Sequence, residues 1–149
     1  MEVVLLSERD GVLCYRVCRE ELEDGVHPDD LALSLAGLTL CTPGALLHST
    51  SWRYDAGTLV LTYAALPDPE PAESRAVDVD AMAISGSPLV PSPYAIDRDA
   101  VAAQACRHLA RLFATDPVTI EAAAAAPGIW TLIGKLPTGP AGALGLLAP

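Results

Sequence analysis

A chain of 149 residues has room for one ordinary core and not for two, and an apolar fraction of 51% argues against wholesale disorder. Nineteen acidic side chains against eight arginines and the single Lys135 give a net charge of −10 without any basic run, which excludes recognition of a nucleic-acid backbone or an anionic membrane surface. The start, Met1 to Glu8, lacks the features of a signal peptide, and no stretch nears the roughly 18 apolar residues of a membrane span, so a cytoplasmic location is expected.

In chain order, Val3 to Leu6 and Val12 to Val17 are short β-type runs around an Asp10-Gly11 step, a strong hairpin signal. Leu13, Tyr15 and Val17 share the face expected to meet the core. Arg19 to Asp24 is acidic and solvated. His27-Pro28-Asp29-Asp30 then starts a short helix, with Pro at its first position and acids in its first turn. Leu31, Leu35 and Leu38 form its apolar stripe, and Gly37 ends it.

Leu46 to Tyr54 and Thr58 to Leu66 read as a second hairpin around Asp55-Ala56-Gly57. A three-residue loop there pairs Tyr54 with Thr58 and puts His48, Thr50 and Trp52 on one face, with Ser49, Ser51 and Arg53 on the other. Pro67 to Ser74 has the composition of an exposed loop, Val77 to Asp80 alternates as a half-buried strand, and Ser85 to Pro93 is turn-rich. The longest helix is predicted from about Asp97 to Ala114, with Val101, Ala105, Leu109, Leu112 and Phe113 inward and Gln104, Arg107, His108 and Arg111 outward. Asp116-Pro117 opens a shorter helix that ends at Ala126-Pro127-Gly128. The organisation is one α+β domain over residues 1–136 and a Gly/Pro/Ala-rich tail at 137–149. Its mixed or antiparallel sheet is built from two hairpins and packed by a long C-terminal helix and shorter helices.

Few side chains assemble into a known chemistry. Gly134-Lys135 is followed by Leu136, and Gly128 lies one residue too far upstream for a phosphate loop. Cys14 and Cys18 share a strand face about 13 Å apart, and Cys106 and His108 point to nearly opposite sides of a helix, so no zinc ligands converge. These thiols and Cys41 read as reduced and structural. His48 and Ser49, neighbours on a strand, face opposite ways and cannot act as a base and nucleophile. The densest group of functional side chains is His48-Ser49-Thr50-Ser51-Trp52-Arg53-Tyr54. As a ligand site it stacks Trp52 on a planar molecule, bonds it through His48 or Thr50 and anchors the rim with Arg53 or Tyr54. As an ordinary hairpin it packs its aromatics and solvates its polar groups. Asp78 and Asp80 suit either Mg²⁺ or plain exposure, and Arg107 and Arg111 either an anion or the chain's own carboxylates.

The words Arg19-Glu20-Glu21-Leu22-Glu23-Asp24-Gly25-Val26 resemble the end of the metal-binding box of Nudix hydrolases, and the element order is similar to that family's α/β/α sandwich. The resemblance implies a Mg²⁺-dependent nucleotide hydrolase with Glu20, Glu21, Glu23 and Asp24 as metal ligands. Glu21 stands where the family has a hydrophobic residue, the tail is one residue short, and the box's glycine and first glutamate fall at Leu5 and Gly11. Such a fold would be catalytically degenerate here. Leu47 to Tyr63 and Ala105-Cys106-Arg107-His108-Leu109 also resemble uncharacterised bacterial proteins from high-GC genomes, which implies no activity.

Two functions follow as expectations: a non-catalytic module without a cofactor that binds a small molecule or a protein, and a divergent Mg²⁺-dependent hydrolase. The apolar composition, with mean hydropathy +0.33, adds the expectation of a homodimer or larger homo-oligomer. Its seam would be Val118 to Ala126 with Ile129-Trp130-Thr131-Leu132-Ile133.

Overall fold

Val3, Val4, Leu5 and Leu6 are all completely buried, so the strand that carries them must be covered on both faces. A computed structural model of the chain describes residues 1–85, 87, 89, 93, 96–138 and 143–144. In it β1 (Glu2–Arg9) lies inside a five-stranded mixed sheet of order β3-β4-β1-β2-β5. β1 and β2 (Val12–Arg19) form the first hairpin, closed by Asp10 and Gly11, both at positive φ. β3 (Leu46–Asp55) and β4 (Thr58–Leu66) form the second, and β4 joins β1 in parallel. The short β5 (Arg75–Ala76) borders β2. A separate parallel pair joins β6 (Ile84–Ser85) to β7 (Ala143–Leu144).

Helices cover the two faces unequally. On one, α1 (Pro28–Ala36) packs on Val3, Leu5, Tyr63 and Ala65. On the other, α2 (Arg98–Thr115) and α4 (Pro127–Ile133) cover Val4, Leu6, Leu13, Tyr15, Ala64 and Leu66, and α3 (Pro117–Ala123) packs beside α2. The fold is therefore α+β with a mixed sheet, as composition and pattern imply. No helix among the described residues is long and apolar enough to cross a membrane.

Caps fix the helix ends. His27 Nδ1 accepts the Asp29 N–H at the start of α1, the Asp97 carboxylate accepts the Ala100 N–H at the start of α2, and Gly37 closes α1 at φ 63°. Several expectations need correction. The buried stripe of α1 is Ala32, Ala36 and the following Leu38, while Leu31 and Leu35 are only half-buried: small side chains let the helix approach the sheet. Val77 to Asp80 forms no strand, because contact with β2 ends on the single bond from the Val77 N–H to the Leu13 carbonyl and the Asp80 N–H turns back to Asp78 Oδ1. The loop from Pro67 to Ser74 is not wholly exposed, since Asp68 and Ser74 are buried. Pro127 does not merely stop a helix; it occupies the first position of α4, where its missing N–H costs nothing. Of the Ser85 to Pro93 connection and the tail at 137–149, residues 86, 88, 90–92, 139–142 and 145–149 lie outside the described residues.

Candidate functional site

The second hairpin does not gather its functional side chains into one wall. Asp55 pairs with Thr58, leaving a two-residue loop of Ala56 and Gly57 at φ 48° and 85°, instead of the expected three-residue loop. A bulge then falls between Ser49 and Ser51, and Thr50, the extra residue, donates its hydroxyl to the Thr62 carbonyl. The bulge changes the alternation. His48 and Arg53 take the face under α2, whereas Trp52 and Tyr54 take the face of α1, across from Leu61 and Leu59. Trp52 and Tyr54 are 66% and 70% exposed and lie beyond the reach of α1's own core cluster. The expected single site of His48, Thr50, Trp52, Arg53 and Tyr54 is thus split across the sheet.

Arg53 belongs to a buried polar cluster. Its guanidinium pairs with both Glu2 oxygens, Thr62 donates to Glu2 at 2.8 Å, and Arg19 closes the far side at 2.7 Å. Burial raises the Glu2 pKa, but the bonds from Arg53 and Thr62 and the Arg53 charge more than reverse this, so its carboxyl sits below its ordinary value. On the opposite face Asp68 accepts from Arg16 at 2.7 Å, from Ser74 at 2.6 Å and from the Glu70 N–H. These partners likewise outweigh burial and hold its carboxyl low. A third knot joins Tyr15, Arg75 and Asp99, tying β2 and β5 to α2. Every member is paired with another, which marks these knots as structural.

His108, expected outward, turns against His48 instead, with ring centroids 5.0 Å apart and edge to face. Its Nε2 is enclosed without a hydrogen-bond partner among the described residues, and burial, His48 and Arg111 push its pKa down, so it is neutral at pH 7. Arg107 donates to the Val79 and Ala81 carbonyls and so holds that segment on α2. Glu20, Glu21, Glu23 and Asp24 lie on an exposed loop after β2, not on a helix facing a cleft. Among the described residues no three His, Cys, Asp or Glu side chains are grouped to hold a metal ion. The four cysteines are unlinked, and burial pushes the Cys106 thiol up to about 12.

A concave site lies elsewhere among the described residues, where α2, α3 and α4 meet. Asp116 ends α2 and caps α3 in one step, its carboxylate accepting the Thr119 N–H and hydroxyl at 2.8 and 2.6 Å. Pro117 and Pro127 open the two short helices that follow, and the three together form a cup. Its cavity is about 610 Å³, within the range of small-molecule sites. Phe113 comes from α2, Ile120, Ala123 and Ala124 from α3, and Pro127, Trp130 and Thr131 from α4, with Gly134 and Lys135 just beyond. Phe113 and Trp130 lie 5.2 Å apart in a tilted contact. A side chain at Gly134 would crowd them, since a Cβ there would stand 3.1 Å from the Phe113 ring.

Trp130 is 1% exposed, yet its buried indole N–H has no acceptor among the described residues. Of the expected oligomer seam, Ile129, Trp130 and Ile133 are buried within the protomer, whereas Val118 and Ile120 are exposed. Sequence reasoning missed the cavity, although Pro at the first position of two consecutive short helices was a readable signal for the bend that forms it. Comparison with protein-family models, with curated proteins and with solved structures finds no match.

Proposed function

We propose that this protein is a non-catalytic binding module for a small apolar or amphipathic molecule, held in the cup between α2, α3 and α4. The observation that carries the reading is the cavity itself: about 610 Å³, walled by Phe113, Ile120, Ala123, Pro127 and Trp130. Apolar walls with few polar groups are the usual build of a ligand pocket. A catalytic reading has less support. His48 and His108 contact each other, the second hairpin's polar residues are spent on internal bonds, and the acids of the Nudix-like segment stand on an exposed loop.

Thermal unfolding with decanol as probe tests this. A ligand bound only by the native state raises the melting temperature with concentration. That rise is expected for the native protein and should be lost in Ala124→Trp, which fills the cavity from an exposed wall position. No rise for the native protein, or an equal rise for the variant, would refute the proposal.

A further inference from the structure

Given the binding cavity proposed above, we infer that its natural ligand is a monoanionic amphiphile, an apolar body ending in a carboxylate, with Lys135 as the counter-charge. The polar side chains of the wall set this chemistry. The Thr131 hydroxyl already donates to the Pro127 carbonyl at 2.8 Å and the Trp130 N–H is sealed from the accessible space, which leaves the Lys135 ammonium as the donor of the wall. An ammonium donates and cannot accept, so the complementary head group is an acceptor.

Charge narrows the class further. Lys135 is the only lysine in a chain of net charge −10, it sits on the cavity wall, and it makes no ion pair among the described residues. One cation suits one negative charge, and the acidic surroundings repel a polyanion such as a nucleoside phosphate. The apolar remainder of the ligand would lie against Phe113, Ile120 and Trp130.

The test compares decanoate with decanol by calorimetric titration of the full chain. Decanoate is expected to bind the native protein roughly fivefold more tightly than decanol, the scale of one partly exposed ion pair. Lys135→Gln should erase that preference, and Lys135→Arg should keep it. Raising the salt concentration should shrink it as well. Equal binding of the two probes, or a preference that survives Lys135→Gln, would overturn the carboxylate assignment and leave the cavity reading intact. Binding of neither probe would overturn both.

Discussion

At the scale of single residues, the buried polar groups divide into satisfied knots and solitary atoms. Glu2, Arg53, Thr62 and Arg19 leave one another no free valence of consequence, and the same holds for Asp68 with Arg16 and Ser74. Ser7 Oγ, His108 Nε2 and Trp130 Nε1 are different, each enclosed without a hydrogen-bond partner among the described residues. For His108 the consequence is a pH dependence with a definite sign. The unfolded chain takes up a proton at the ordinary value of 6.5, whereas the folded protein resists it because of burial, His48 and Arg111. The unfolded state therefore binds more protons as the pH falls through 6.5, and stability drops there; above it this contribution is whole. Glu2 and Asp68, held below their ordinary values of 4.5 and 3.8, add a second loss as the pH falls past those values. Melting temperatures measured from pH 7.5 to 3 are expected to show both steps, and His108→Phe should remove the upper one only. An unchanged upper step in that variant would place its origin elsewhere.

At the scale of elements, the legible features were those with local causes. The Asp10-Gly11 turn, the His27 and Asp97 caps, Gly37 and the extent of α2 depend on side chains within a few residues of the backbone they fix. The bulge at Thr50 was not legible, because its hydroxyl is satisfied by Thr62 across the strand pair and a single extra residue reverses every later side chain. That one slip dispersed the expected site. The cup was hidden for a related reason: it exists only after three helices pack, and proline reads equally as a stop or a start. The hairpin loop offers a direct check. Ala56 sits at φ 48°, where a Cβ is unfavourable by roughly 1 kcal/mol, and the neighbouring Gly57 has open space around it. Ala56→Gly is expected to stabilise the protein by about that amount in urea unfolding. A clear loss of stability would argue against the two-residue turn.

At the scale of the whole molecule, the two faces of the sheet have different fates. The α1 face leaves Trp52 and Tyr54 outside the core, while the α2 face carries the main core and closes with Trp130. Because Trp130 is enclosed there, Trp130→Glu would bury a charge rather than separate two copies. The two tryptophans thus stand on different elements in opposite environments, and they report separately on the cavity and on the hairpin. The most direct measurement is a titration of ¹⁵N-labelled protein with decanoate, following the two indole N–H resonances. The Trp130 signal, identified by its absence in Trp130→Phe, should move and saturate as the ligand packs against this wall residue, with the Trp52 signal unmoved. A saturating shift at Trp52 alone, or no shift at Trp130 while decanoate binds, would contradict a ligand site in the cup.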